Sequence, residues 1–120
     1  MSFIEQAGLS VDQIKNELSN DQAILIDVRE AEEVELGHLE NAKWIALSAL
    51  SENPDQYLKA INSEYSNKKV YVYCKSGGRS GQASQFFQSQ GIKAFNIGGF
   101  QELISDFDYT SGSMENKKIS

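Results

Sequence analysis

The chain has 120 residues, of which 40% are hydrophobic, so it can form one domain with a real core and is too short for two ordinary domains. Its 17 acidic residues outnumber its 11 lysines and arginines, and the resulting net charge of −6 argues against a nucleic-acid partner. A single cysteine excludes an internal disulfide and a metal site built from several cysteines, and it fits a reducing compartment. The N-terminus lacks a signal-peptide pattern and no apolar run approaches membrane-spanning length, so we expect a cytoplasmic protein without a membrane partner.

The first predicted elements are a helix and a buried strand. Ser10 has the form of an N-cap, and apolar residues follow it at helical spacing. The apolar run over residues 23–26 favours a central parallel strand, which ends at Asp27 and Arg29. In open α/β sheets the carboxyl ends of the strands face the ligand crevice. Both charged residues are therefore expected at the end of the sheet where ligands bind.

The second half of the chain predicts helices and strands in alternation. Asn53-Pro54 is typical of a helix start, and this helix is expected to cross over to the next strand. The β-branched and aromatic run over residues 70–73 favours a strand that is buried on both faces. A helix is predicted over residues 80–90 and a further strand over residues 92–97. This order predicts an α/β fold with a mainly parallel sheet of about five strands and helices on both faces.

The C-terminal residues differ in composition from the rest of the chain. From Thr110 onward the sequence is almost entirely polar, with few apolar side chains. Such segments rarely bury enough apolar surface to become ordered. We therefore expect residues 1–109 to form a single domain and residues 110–120 to form a mobile tail.

Cys74 marks the stretch with the clearest chemistry. It follows the strand over residues 70–73 and precedes the predicted helix, in the sequence Cys74-Lys75-Ser76-Gly77-Gly78-Arg79-Ser80. The backbone N–H groups that begin a helix are unpaired, and the helix dipole favours a negative charge beside them. The two glycines let the backbone turn inward, so that successive amides can form an anion-binding nest. Together with the two cationic side chains, these features favour the thiolate, so Cys74 is predicted to be a catalytic nucleophile.

This loop resembles the active-site loop of the rhodanese family of sulfurtransferases. In that family four residues separate the cysteine from an arginine, which is commonly followed by serine. Three further segments are similar to family motifs and stand in the family's order: Asp27-Val28-Arg29-Glu30, Gly37-His38-Leu39 and Gly98-Gly99-Phe100. The match covers roughly residues 9–106 and contains each motif once, which resembles the single-domain members.

The resemblance implies a ping-pong transfer of a sulfane sulfur. The Cys74 thiolate would attack the outer sulfur of thiosulfate or a similar small anionic donor, and the resulting persulfide would pass its sulfur to cyanide, a small thiol or a protein thiol. Residues 75–80 would bind the donor and the persulfide, with the loop amides stabilising the anionic sulfur and with Lys75 and Arg79 attracting the donor. Lys75 is alternatively a plain surface charge. No cofactor and no metal is implied.

Several of these residues have a structural interpretation as well. Cys74 is alternatively a buried structural thiol, since free cysteines are often buried. Ser80 is either a hydroxyl donor to the site or only the helix cap. Asp27 and Arg29 are expected to brace the Cys74 loop by hydrogen bonding, and the alternative is a salt bridge that holds the sheet edge. His38 is either the partner of Cys74 in a Cys–His pair or a structural turn residue, which is what the resemblance implies.

Two other functions are compatible with such a loop. A non-catalytic module would carry or sense sulfur for one protein partner, and it would load sulfur once instead of turning over small molecules. Cysteine-dependent phosphatases use a similar loop, but five residues separate their cysteine from the arginine. Four residues separate Cys74 from Arg79, and the smaller ring suits a single sulfur atom better than a phosphate.

Overall fold

The computed structural model describes all 120 residues and has a parallel four-stranded sheet at its centre. The strands are β1 (Ala23–Asp27), β2 (His38–Leu39), β3 (Ala42–Trp44), β4 (Lys69–Cys74), β5 (Ala94–Gly99) and β6 (Tyr109–Thr110). The helices are α1 (Phe3–Gln6), α2 (Val11–Ser19), α3 (Ala31–Leu36), α4 (Leu47–Glu52), α5 (Pro54–Glu64), α6 (Gly78–Ser89) and α7 (Phe100–Leu103), and a 3₁₀ turn covers Glu115–Lys117. None of these helices is long and apolar enough to cross a membrane.

The predicted α/β fold is confirmed, with one difference in the number of strands. The central sheet has the order β3-β1-β4-β5, and all of its neighbouring pairs are parallel. The short strands β2 and β6 pair with each other as a separate antiparallel ribbon and do not join the sheet. The sheet therefore has four strands instead of about five.

Side chains of the central strands alternate between two apolar cores, one on each face of the sheet. Leu25 faces a core that includes residues of α1, α2, α3 and α7, whereas Ile24 and Ile26 face a core built with α4, α5 and α6. In β4 the same alternation places Cys74 on the second face, against α6. Burial of both faces explains why β1 and β4 are continuous apolar runs in the sequence.

The pairing of β4 with β5 shifts in register at the end that carries the cysteine. Val72 pairs with Asn96, but the next residue, Tyr73, pairs with Gly98, and Cys74 pairs with Gly99. This irregularity places the two glycines directly beside the start of the loop. A β-bulge bends its strand and redirects the neighbouring side chains in this way.

The C-terminal segment differs from the predicted mobile tail, because it packs on the domain. Met114 is 1% exposed and Ile119 is 3% exposed, and each belongs to one of the two apolar cores. The Ile119 N–H donates to the carbonyl of Trp44 at 3.1 Å. Two well-placed apolar side chains thus anchor a segment whose average composition is polar, which a composition argument does not detect.

This packing predicts that Met114→Ala destabilises the protein. Truncating a fully buried methionine leaves a cavity and should lower the free energy of unfolding by about 2–4 kcal/mol. Urea unfolding of the variant measures this loss, and Asn116→Ala, at an exposed position in the same segment, serves as the control. Equal stability of the two variants would mean that the segment does not pack in solution.

Candidate active site

Cys74 is the last residue of β4, and the helix α6 begins only four residues later at Gly78. Gly77 is the N-cap residue of α6 and has a φ of +101°, a left-handed conformation that strongly favours glycine. This turn directs the chain back toward the sulfur atom. The Cys74 side chain therefore lies at the carboxyl end of a central strand and inside the curve of the loop, although the residue is only 1% exposed.

Two donors lie within hydrogen-bond distance of the Cys74 sulfur. The Gly77 N–H donates to Sγ at 3.0 Å, and the Ser80 hydroxyl lies 3.2 Å from Sγ. Burial raises the pKa of the Cys74 thiol, but hydrogen bonds from the Ser80 hydroxyl and from backbone N–H groups outweigh this effect, so the net pKa lies below its ordinary value. A structural thiol in an apolar core would have its pKa raised. The surroundings of Cys74 favour the thiolate.

Further backbone N–H groups of the loop are left without a backbone acceptor. Those of Ser76, Gly78 and Arg79 make no backbone hydrogen bond, since they precede or begin the first turn of α6. The positive end of the helix dipole lies at the same place. These N–H groups can therefore donate hydrogen bonds to an anionic group that extends from the sulfur.

The Arg79 side chain was predicted to attract the donor, but in the structure its guanidinium is paired with a carboxylate. Its guanidinium forms two parallel hydrogen bonds to Glu33 of α3, at 2.6 and 2.8 Å. These bonds lower the pKa of Glu33 from 4.5 to about 2 and keep the pair ionised. Lys75 is exposed and forms no ion pair, so it is the cation of the loop that remains available to an anion.

The Glu33–Arg79 pair makes stability depend on pH in acid. Because the folded protein lowers the pKa of Glu33, the stabilisation is complete above about pH 4.5 and is lost as the pH falls through about 2. We expect Glu33→Gln to lower the free energy of unfolding by about 1 kcal/mol at neutral pH, as for a partly exposed ion pair. Urea unfolding at several pH values tests this, and a difference that persists unchanged at pH 2 would contradict it.

Asp27 and Arg29 differ from their predicted role of bracing the Cys74 loop. The Arg29 guanidinium is folded back on the Asp27 carboxylate, with 2.8 Å between Nη2 and Oδ2, and Nη2 also donates to the carbonyl of Gly37 at 2.6 Å. It stacks against the ring of Phe100, with 4.6 Å between Cζ and the ring centroid. Both residues are buried, and they hold the turn at Gly37 instead of residues 74–80.

His38 is a structural residue of the fold. It is 1% exposed, its Nδ1 lies 2.9 Å from the carbonyl of Val34, and its Nε2 lies 3.1 Å from Nζ of Lys117. Both ring nitrogens are therefore engaged away from the cysteine. The structure contains no Cys–His pair between His38 and Cys74.

Two residues that contact the loop were missed by the sequence reasoning. Asn96 of β5 donates from Nδ2 to the carbonyl of Gly77 at 2.9 Å, and its Oδ1 lies 2.7 Å from the Ser80 hydroxyl. Phe3 of α1 lies so close that a Cβ added at Gly77 or Gly98 would meet its ring. An asparagine within an apolar strand, two residues before a glycine pair, was a usable signal, whereas nothing in the sequence connects Phe3 with the loop.

A cavity of about 270 Å³ opens beside the loop. Its lining residues come from the end of β1, from α3, from the loop and from α7, and they are Arg29, Glu33, Leu36, Gly37, Lys75, Phe100 and Gln101. The size of this cavity suits a small molecule. Lys75, which directly follows Cys74, is the loop residue that lines it.

The contacts of Cys74 predict that Ser80→Ala makes the thiol less acidic. The Ser80 hydroxyl is the strongest of the groups that lower the pKa of Cys74, so its removal should raise that pKa. Losing one hydrogen bond to a charged group should slow alkylation of Cys74 by iodoacetamide about tenfold at neutral pH. Ser84→Ala is the matched control, because the Ser84 hydroxyl lies one turn along α6, is buried and has no hydrogen-bond partner. Equal alkylation rates in both variants would contradict the assignment.

Comparisons with known proteins agree with this fold. The sequence model of the rhodanese-like domain matches residues 10–106. Rhodanese-like/PpiC domain-containing protein 12, chloroplastic, from Arabidopsis thaliana is 41% identical over 83 residues, covering 68% of this chain and 27% of that protein. A tRNA uridine(34) hydroxylase from Cronobacter sakazakii is 34% identical over 94 residues, covering 76% of this chain and 26% of that protein.

A solved structure extends the comparison to a protein of similar size. The human single-domain sulfurtransferase TSTD1 has a TM-score of 0.66 and 27% identity, covering 81% of this chain and 94% of that one. By contrast, the chain spans about a quarter of the length of the two curated relatives above. The resemblance drawn from the sequence motifs is confirmed by these matches, and the chain belongs to the rhodanese-like domain family.

Proposed function

We propose that this protein is a sulfurtransferase that moves a sulfane sulfur from thiosulfate or a similar anionic donor to cyanide or a thiol through a persulfide on Cys74. The observation that carries the proposal is the surroundings of the sulfur. Cys74 Sγ accepts hydrogen bonds from Gly77 N–H and from the Ser80 hydroxyl, and further loop amides have no backbone acceptor. Sulfurtransferase-type activity in general is supported by the family and by the single-domain sulfurtransferase of similar fold.

The first half-reaction loads the cysteine. The Cys74 thiolate attacks the outer sulfur of thiosulfate, a new S–S bond forms, and the S–S bond of the donor breaks as sulfite leaves with the electron pair. The negative charge then lies on the terminal sulfur of the persulfide. The N–H groups of Ser76, Gly78 and Arg79 can stabilise that charge in the way that an oxyanion hole stabilises oxygen. No general base is assigned to this step, because the hydrogen bonds to Sγ favour the thiolate.

The second half-reaction transfers the sulfur. A nucleophile such as cyanide attacks the terminal sulfur, the persulfide bond breaks, and the Cys74 thiolate leaves with the electron pair of that bond. Thiocyanate is the product when cyanide is the acceptor, and a thiolate acceptor becomes a persulfide itself. The hydrogen bonds that favour the Cys74 thiolate also make it a good leaving group, so one set of contacts serves both steps.

Lys75 is the residue that we assign to attraction of the donor. It is exposed, it forms no ion pair and it lines the cavity beside the loop. The Arg79 charge is compensated by Glu33, so Arg79 contributes its backbone N–H and the placement of the loop. Since the chain carries a net charge of −6, a local cation at the cavity matters for an anionic donor.

The proposal is tested by steady-state turnover of the purified protein with thiosulfate and cyanide. We expect thiocyanate to form in many equivalents per protein molecule, with ping-pong kinetics. Formation of only one equivalent of thiocyanate per protein molecule would contradict catalytic turnover and favour a module that carries sulfur for one protein partner. Turnover of an aryl phosphate without thiocyanate formation would overturn sulfur transfer and favour a cysteine-dependent phosphatase.

A further inference from the structure

Asn96 of β5 stands out because its side-chain amide joins the cysteine loop to its own strand. Its Nδ2 donates to the carbonyl of Gly77 at 2.9 Å, and its Oδ1 accepts from the Gly98 N–H at 3.1 Å. Turning the amide around would lose both bonds, so its orientation is fixed. Its Oδ1 is consequently always presented to the hydroxyl of Ser80, which lies 2.7 Å away.

The Ser80 hydroxyl has one hydrogen and two acceptors within reach. Cys74 Sγ lies 3.2 Å from its oxygen and Asn96 Oδ1 lies 2.7 Å from it, but a hydroxyl can donate to only one of them at a time. Ser80 is itself fully buried, so no water competes for the hydrogen. The direction in which Ser80 donates must therefore depend on the charge of the sulfur.

We propose that Asn96 is a positioning residue for sulfur transfer. Its Oδ1 accepts the hydrogen bond from the Ser80 hydroxyl when the sulfur of Cys74 is uncharged, and the hydroxyl donates to the sulfur instead when the thiolate forms. This inference rests on the proposed function. An amide oxygen has two acceptor positions, and the bond from Gly98 N–H keeps Oδ1 satisfied while Ser80 donates elsewhere. The hydroxyl can thus rotate without leaving a buried polar atom unpaired.

The same rotation follows the two half-reactions. With the thiolate, Ser80 donates to Sγ, as the attacking and leaving group requires. After the persulfide forms, Sγ no longer carries the charge, the terminal sulfur is held by the loop amides, and the Ser80 hydrogen returns to Asn96. In addition, the bond from Nδ2 to the carbonyl of Gly77 restrains that residue, whose own N–H, in the preceding peptide, donates to Sγ. Asn96 therefore acts on the sulfur through the two groups that donate to it, the Ser80 hydroxyl and the Gly77 N–H.

A double-mutant cycle tests the proposal. Asn96→Ala, Ser80→Ala and the double variant are compared by the rate of Cys74 alkylation with iodoacetamide as a function of pH, and circular dichroism establishes that each variant is folded. If Asn96 acts through Ser80, the two substitutions are coupled, and the rate change caused by Asn96→Ala should differ at least threefold between the two backgrounds. Rate changes that multiply independently in a folded double variant would overturn the proposal.

A second variant fixes the direction of the effect. In Asn96→Asp the carboxylate would hold the Ser80 hydrogen more strongly and cannot donate to Gly77, so the alkylation profile should move to higher pH and the rate at neutral pH should fall at least tenfold. Asn62→Asp, at an exposed position on α5, controls for the added charge. An unchanged alkylation profile in folded Asn96→Asp would overturn the proposal. So would a shift of the same size when Asn96→Asp is combined with Ser80→Ala.

The failure of this inference can be separated from the failure of the proposed function. Alkylation needs only the thiolate, whereas thiocyanate formation needs the complete reaction. If the wild type turns over and the cycle shows no coupling, only the role of Asn96 is wrong. If the cycle shows coupling and the wild type forms no thiocyanate, the role of Asn96 in setting the thiolate stands, and the assignment to sulfur transfer is wrong.

Discussion

Replacing Cys74 by serine is expected to lower thiocyanate formation by at least about 10³-fold, the scale of effect seen when an enzyme loses its nucleophile. A serine hydroxyl is not ionised near neutral pH, and no other thiol exists in the chain to replace it. Serine is nearly the same size, so it can keep the hydrogen bonds with Gly77 and Ser80 and the variant should fold. The colorimetric thiocyanate assay measures the loss.

The control for this variant is its stability. Urea unfolding should give nearly the same midpoint for the wild type and for Cys74→Ser, since the substitution removes no large apolar group. A folded Cys74→Ser variant that keeps more than about a tenth of the activity would contradict the assignment of Cys74 as the nucleophile, because that loss is far smaller than nucleophile removal causes.

Gly99→Ala is expected to disrupt the loop without touching any group that reacts. A Cβ at Gly99 would overlap the carbonyl oxygen of Lys75 and would lie 3.1 Å from the Cα of Ser76. These are backbone atoms that cannot rotate away, so the loop must shift. Its N–H groups are then no longer aligned with the Cys74 sulfur. We expect activity to fall about 10²-fold, the cost of a small misplacement of reacting groups, and the free energy of unfolding to fall by about 1–3 kcal/mol.

Gly78→Ala is the matched stability control for this prediction. An added Cβ at Gly78 meets no atom within 4 Å, and Gly78 has an ordinary helical backbone in the first turn of α6. Alanine should therefore keep or slightly raise stability there. The contrast between two glycines that flank the same loop isolates close packing as the cause. A Gly99→Ala variant with wild-type stability and activity would show that the contact with Lys75 is not rigid.

The elements that position the cysteine are predictable from local sequence. The apolar run before Cys74 has no polar alternation because β4 is buried on both faces, and the glycines after it permit the left-handed turn at Gly77. Both signals lie within a few residues of the structure that they produce. The fold class follows from the same patterns, repeated along the chain as strands and helices in alternation.

The contacts that complete the site depend on packing between distant segments. Arg79 looks like a donor-binding cation in the sequence, but its partner Glu33 lies 46 residues away on α3. Arg29 pairs with Asp27 nearby, but its guanidinium also contacts the Gly37 carbonyl and the distant Phe100 ring instead of reaching the loop. Sequence motifs identify such charges as important, but they do not identify which neighbour the fold gives them.

The segments outside the family match contribute contacts that no motif encodes. The matched region covers residues 10–106, yet Phe3 lies before it and packs on Gly77 and Gly98. Met114 and Ile119 lie after it and enter the two cores. The C-terminal segment has only a few apolar side chains, so its average composition resembles a mobile terminus. That the terminal segments pack on the domain can be inferred only when the surfaces that they cover are known.

The most direct test of the account is the intact mass of the wild type and of Cys74→Ser after incubation with thiosulfate, before and after addition of cyanide. The account predicts a gain of one sulfur atom on the wild type only, and loss of that sulfur when cyanide is added. An unchanged mass in the wild type would contradict the persulfide mechanism, and an equal gain in both proteins would contradict its location on Cys74.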